Sequence, residues 1–130
     1  SKEMYHRRLT LDERLTLTRR SLERVDSLRA PQAPLFLLSA VTQHGEQAQR
    51  TFEIRESYNA MCRNFCRNTS NAHFIDIDQL LAPEDFVDSD HYTRTGYFKI
   101  AEFVNSYARP VVDALAIPQA GSADSDREAA

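Results

Sequence analysis

Four consecutive apolar residues, Leu35-Phe36-Leu37-Leu38, stand between Pro34 and Ser39. The run is too short for a helix and has no polar alternation. A half-exposed strand would alternate, so this one reads as covered on both faces, as in a parallel sheet between helices. Residues 11–29 precede it. There Leu11, Leu15, Thr18, Leu22, Val25 and Leu28 recur at steps of three and four, the period of one helical face. Thr10 with Glu13 is a capping-box pattern, and Pro31 ends the segment.

A second helical pattern follows over 54–67, with Ile54, Tyr58, Met61, Cys62 and Phe65 on one face. The stretch between, 39–52, is polar and reads as irregular. Residues 73–77, HFIDI, form the second strand candidate. Residues 78–95 read as a loop with a short turn near 79–81. A last helix is expected over 95–115, interrupted or kinked at Pro110. The order helix, strand, helix, strand, helix is that of an α/β fold with a parallel sheet. Two strands alone make a poor sheet, and their apolar faces call for further company. Residues 1–10 read as an N-terminal extension. Residues 117–130 are small, polar and charged, and read as a disordered tail or linker.

Composition narrows the function classes. The formal net charge is −3, and the basic residues fall in pairs such as Arg7-Arg8 and Arg19-Arg20. A nucleic-acid surface would need a clustered excess of Lys and Arg, so no nucleic-acid partner is expected. No apolar run reaches the ~18 residues of a membrane span, so no membrane partner is expected either. The two cysteines, Cys62 and Cys66, lie four apart on one helical face with no second pair beside them for zinc. They read as buried free thiols. Nothing in the composition assigns a compartment.

Chemistry concentrates in residues 84–97, EDFVDSDHYTRTGY, between the second strand and the last helix. Open α/β sheets place ligands beyond the carboxyl ends of their strands. His91 there is a group whose type titrates near neutrality. A carboxylate on one ring nitrogen would orient the imidazole and leave the other to take a proton from a hydroxyl. Asp88, three residues earlier, reaches it across a tight turn, and adjacent Asp90 competes for the role. Thr93 or Thr95 can cap the final helix, and Gly96 lets the backbone turn closely into it. The same loop reads equally as a solvated acidic turn. One His among acids is also a metal-type donor set, but no metal and no cofactor are assigned.

VDSDHYTRTGYFKIAEFV resembles the last block of SGNH/GDSL hydrolases: Asp-x-x-His, a Thr- or Pro-bearing turn, Gly, then a helix. PLFLLSAVTQ and SYNAMCRNFCRNTSNAHFIDIDQLL are similar to the segments before that block. Residues 11–116 thus resemble the C-terminal portion of such a domain. Within that family the segments resemble the rhamnogalacturonan acetylesterase-like enzymes. The resemblance implies a partial three-layer α/β/α, flavodoxin-like parallel sheet, with Asp88 as triad acid and His91 as general base. It implies hydrolysis of small acyl esters, such as acetyl, on carbohydrate, without a cofactor. His44, Arg50 and Tyr92 are the candidate substrate contacts; His44 also reads as an exposed loop residue, and Tyr92 as helix packing.

The family's GDS and GxND blocks are absent from this chain. Ser39 follows the LFLL strand but lacks the glycines of a nucleophile turn. It reads instead as a strand-end hydrogen-bonding group in a pocket wall. The expected partners are therefore a small ester or acylated carbohydrate, and a missing Ser-bearing fragment or a second copy. The alternative is a non-hydrolytic carbohydrate-binding or protein-interaction module built on the same fold.

Overall fold

The computed structural model describes residues 8–40, 46–88 and 91–129. The described residues form a mixed α/β unit of four α-helices and a two-stranded parallel sheet. Helix α1 spans Leu11–Leu28. The Thr10 hydroxyl oxygen accepts the Glu13 N–H at 3.1 Å, and the Glu13 carboxylate accepts the Thr10 N–H at 3.4 Å. The capping box predicted from spacing is therefore formed, with Asp12 and Glu13 at the positive end of the helix dipole.

Strand β1 is Leu35–Leu38, and β2 is Ala72–Ile75. They pair in parallel with Leu35 opposite Ala72 and Leu38 opposite Ile75. Between them run α2, Glu46–Arg50, and α3, Phe52–Arg67. The irregular segment expected over 39–52 thus contains a short helix. Asn71 enters β2 with φ of 57°, a left-handed conformation that Asn tolerates well.

β2 starts one residue earlier and ends two residues earlier than its apolar pattern suggests. The reason lies in hydrogen bonding. The Ile77 N–H leaves the ladder and donates to the Ser39 hydroxyl oxygen at 2.8 Å, and the Asp78 N–H turns back to the Asp76 carboxylate at 3.0 Å.

A 3₁₀ turn, Pro83–Asp85, follows, and the last helix, α4, spans Arg94–Ala129. α4 continues past 115, across Pro110 and into the segment whose composition suggested a disordered tail. Pro110 lacks one N–H donor, and the helical backbone bridges that gap. Beyond it, Ala120, Ala123, Glu128 and Ala129 are strong helix formers.

One side chain joins the starts of both strands to the end of α1. The Arg29 guanidinium pairs with Asp26 at 2.7 Å. It also donates to the carbonyls of Ala33 at 2.5 Å, Asn71 at 3.0 Å and Ser70. Neighbouring residues on a strand face opposite ways. His73 stacks on Phe36 at 5.3 Å and meets Tyr107 of α4 edge-on at 6.4 Å, while the Arg63 guanidinium of α3 lies 5.0 Å from the Phe74 ring.

The buried apolar core among the described residues is small: Met61, Cys62, Cys66, Ile75, Ile77 and Leu81. No residue of α1 is buried, despite its apolar stripe. Cys62 and Cys66 are buried free thiols, as their helical spacing implied. Burial pushes both thiols up from their ordinary range. Burial, with a hydrogen bond to Cys62, also pushes Tyr58 up to about 12. The attacking species is the thiolate. Iodoacetamide at pH 8 is therefore expected to alkylate the native thiols at least about tenfold more slowly than the urea-unfolded ones. Mass spectrometry against time checks this, and equal rates would contradict a closed core at Cys62.

Candidate functional site

The loop after β2 is folded around one buried carboxylate. Asp85 is 2% exposed. Its Oδ2 accepts the Lys99 ammonium at 2.7 Å and the Ala82 N–H at 2.9 Å. The Lys99 hydrogen bond, aided by that from Ala82, holds the carboxyl below its ordinary value. The Asp85 carbonyl accepts the Thr93 N–H at 2.7 Å. Thr93 in turn caps α4: its hydroxyl accepts the Gly96 N–H at 3.1 Å, and its carbonyl accepts the Tyr97 N–H at 3.0 Å. Gly96 is needed for close approach. A Cβ there would sit 2.7 Å from the Asp85 carbonyl oxygen.

On this base stands the Asp-x-x-His turn. Phe86 and Tyr92 form an antiparallel bridge, and the Val87 N–H donates to the His91 carbonyl at 2.8 Å. The bridge brings Asp88 and His91 face to face. The His91 N–H donates to Asp88 Oδ1 at 2.9 Å. His91 Nδ1 lies 2.8 and 2.9 Å from the two carboxylate oxygens. With Asp88 ionised, Nδ1 is the protonated nitrogen of neutral His91, and Nε2 carries the basic lone pair. The pair is open to solvent, with side chains 57% and 72% exposed. Its Coulombic attraction is correspondingly screened. What it fixes is the tautomer and the ring orientation.

Tyr92 packs edge-on between Phe86 and Tyr97, at centroid distances of 5.4 and 5.2 Å. With Arg94, Tyr97, Phe98 and Ala101 it lines a shallow cavity of about 490 Å³ beside the histidine turn. Tyr92 thus both packs against α4 and lines a groove. Arg50 lies exposed at the end of α2. His44, Ser89 and Asp90 fall outside the described residues. Among the described residues, no group of three or more His, Cys, Asp or Glu is placed to hold a metal ion, and no helix is long and apolar enough to cross a membrane.

Ser39 is buried at the end of β1. Its hydroxyl donates to Asp76 at 3.3 Å while accepting from Ile77. It also lines a groove between α1 and α3. This is the strand-end role its flanking sequence suggested. Sequence reading missed the Asp85–Lys99 pair. The two residues lie fourteen apart, and no spacing rule links a loop carboxylate to a lysine on the second turn of the following helix. Compared with protein-family models, curated proteins and solved structures, the chain matches none.

Proposed function

We propose that this chain carries the acid–base pair of a serine ester hydrolase of the SGNH type, as its C-terminal part within a partial three-layer, flavodoxin-like sheet. The observation that supports this most is the double contact of His91 Nδ1 with the Asp88 carboxylate at 2.8 and 2.9 Å. That contact leaves Nε2 as a directed base. Ser39 does not fit the nucleophile, since its oxygen is buried and engaged with Ile77 and Asp76. In this reading the nucleophilic serine is supplied from outside the 130 residues, by a further segment or a second chain.

In the reaction, His91 Nε2 takes the proton of that serine as its oxygen attacks the ester carbonyl. The imidazolium, held by Asp88, returns the proton to the departing alcohol. Water then attacks the acyl-enzyme with His91 again as base, and the acid leaves with the serine restored. Small acyl esters on carbohydrate are the proposed substrates. The groove lined by Tyr92, Tyr97 and Phe98 supplies aromatic side chains for the alcohol side.

The test is activity-based labelling of the protein isolated from the cells that make it, with a tag on this chain and a fluorophosphonate probe. A serine adduct should co-purify with the chain and vanish in His91→Ala. Asp88→Asn should slow its formation by about 10³-fold or more, because the wrong tautomer is then favoured. Labelling that both variants leave unchanged would sink the proposal.

A further inference from the structure

A groove of about 530 Å³ opens between α1 and α3 at the carboxyl end of β1. That volume is in the range of small-molecule sites, roughly 300–1,000 Å³. Its walls come from two helical faces: Leu11 and Leu15 on α1, Ile54 and Tyr58 on α3, each pair at i, i+4. This is the stripe of α1 that the fold leaves without a single buried residue. Among the described residues the charge on the lining is of one sign. Arg14 and Arg55 contribute to it, and no acidic side chain does among the described residues.

The two cations differ in availability. Arg55 is buried, donates to the Ala48 carbonyl at 3.0 Å, and has Asp78 at 4.0 Å. Arg14 stands at the exposed rim, with Nε donating to the Leu9 carbonyl at a long 3.4 Å. A guanidinium fork matches a carboxylate in two parallel hydrogen bonds. An apolar slot with a guanidinium at its mouth complements an anion with an unbranched apolar tail.

We propose that this groove is a binding site for an unbranched monocarboxylic acid, its tail between Leu11, Leu15, Ile54 and Tyr58 and its carboxylate on Arg14. Asp88 and His91 do not line the groove, so the site is independent of the hydrolase reading.

The test is an NMR titration of the ¹⁵N-labelled 130-residue chain with octanoate and, separately, with 1-octanol, both below their aggregation concentrations. Saturable shifts are expected at Leu15, Ala40 and Ile54. Octanoate should bind at least about tenfold more tightly than octanol, the share of a charge-assisted contact. Arg14→Gln, an exposed change that leaves the helix intact, should lower octanoate to the octanol level, and Arg14→Lys should restore part of the difference. Ile54→Trp should fill the slot and abolish both sets of shifts. Equal affinities in the wild type, shifts away from the groove, or no shifts at all would overturn the proposal. So would octanoate affinity that survives Arg14→Gln.

Discussion

Asp85→Ala is expected to destabilise the fold at pH 7 and to lower its urea midpoint. The carboxylate is almost wholly buried and accepts from both Lys99 and the Ala82 N–H. Removing it orphans a backbone donor and leaves the Lys99 ammonium without its anion. Lys99 is 42% exposed, so water recovers part of its loss, and the effect falls below that of a fully buried broken pair. The sign of the pH dependence follows from the direction of the shift. Asp85 in the folded chain lies below its ordinary value of 3.8. Its ionised-state contribution is therefore fully present above that value and is lost as pH falls through the lower, folded one. Urea unfolding of wild type and variant at pH 7, 5, 4 and 3 measures this. The gap should hold from pH 7 to 5 and narrow toward pH 3. A gap that stays constant throughout would mean that the ion pair contributes nothing beyond packing.

Gly96→Ala should act on the same contact from the other side. In an open helix interior, Gly→Ala gains about 1 kcal/mol. Here the new Cβ meets the Asp85 carbonyl oxygen at 2.7 Å, the Tyr92 Cβ at 3.2 Å and the Asp85 Cβ at 3.3 Å. The nearest atom is backbone and cannot rotate away. Relieving the overlap requires the 83–85 turn to move off α4, at a cost of about 1–3 kcal/mol that outweighs the propensity gain. The Thr93 N–H bond to the same carbonyl would stretch, and the Asp88–His91 turn built above it would shift. Chemical-shift changes concentrated at 85–97, with a lowered urea midpoint, are the expected result. A stabilised variant with unchanged shifts would show that the turn and helix are not in contact.

The two predictions together separate structure from chemistry in this loop. Asp85, Thr93 and Gly96 position the turn, whereas Asp88 and His91 carry the groups that would react. Asp85→Ala should therefore change unfolding more than it changes the His91 tautomer, whereas Asp88→Asn should do the reverse. Asp88 is exposed and adds little to stability.

Much of this protein was legible along the chain because the signals are local. The Thr10–Glu13 cap, the LFLL strand, the helical face of Tyr58, Met61, Cys62 and Phe65, and the three-residue reach from Asp88 to His91 depend on neighbours within one or two turns. The thiols followed from spacing of four on an apolar face. Boundaries were less legible where a side chain replaced a backbone partner. Ser39 takes the Ile77 N–H out of the ladder, and so β2 stops while its apolar pattern continues. The extent of α4 beyond 115 was hidden by composition, since Pro110 reads as an interruption and residues 117–130 are small, polar and charged.

The sequence by itself determined the alternating α/β order, the parallel strand pair and the identity of the acid–histidine turn, because periodicity and short-range geometry act before any packing. Only the tertiary structure decided what holds that turn in place. Lys99 reaches Asp85 across fourteen residues, Gly96 fits under the Asp85 carbonyl, and Arg29 joins the end of α1 to carbonyls around residue 70. Such contacts depend on where distant segments meet, and burial then sets their strength by removing water from around a charge.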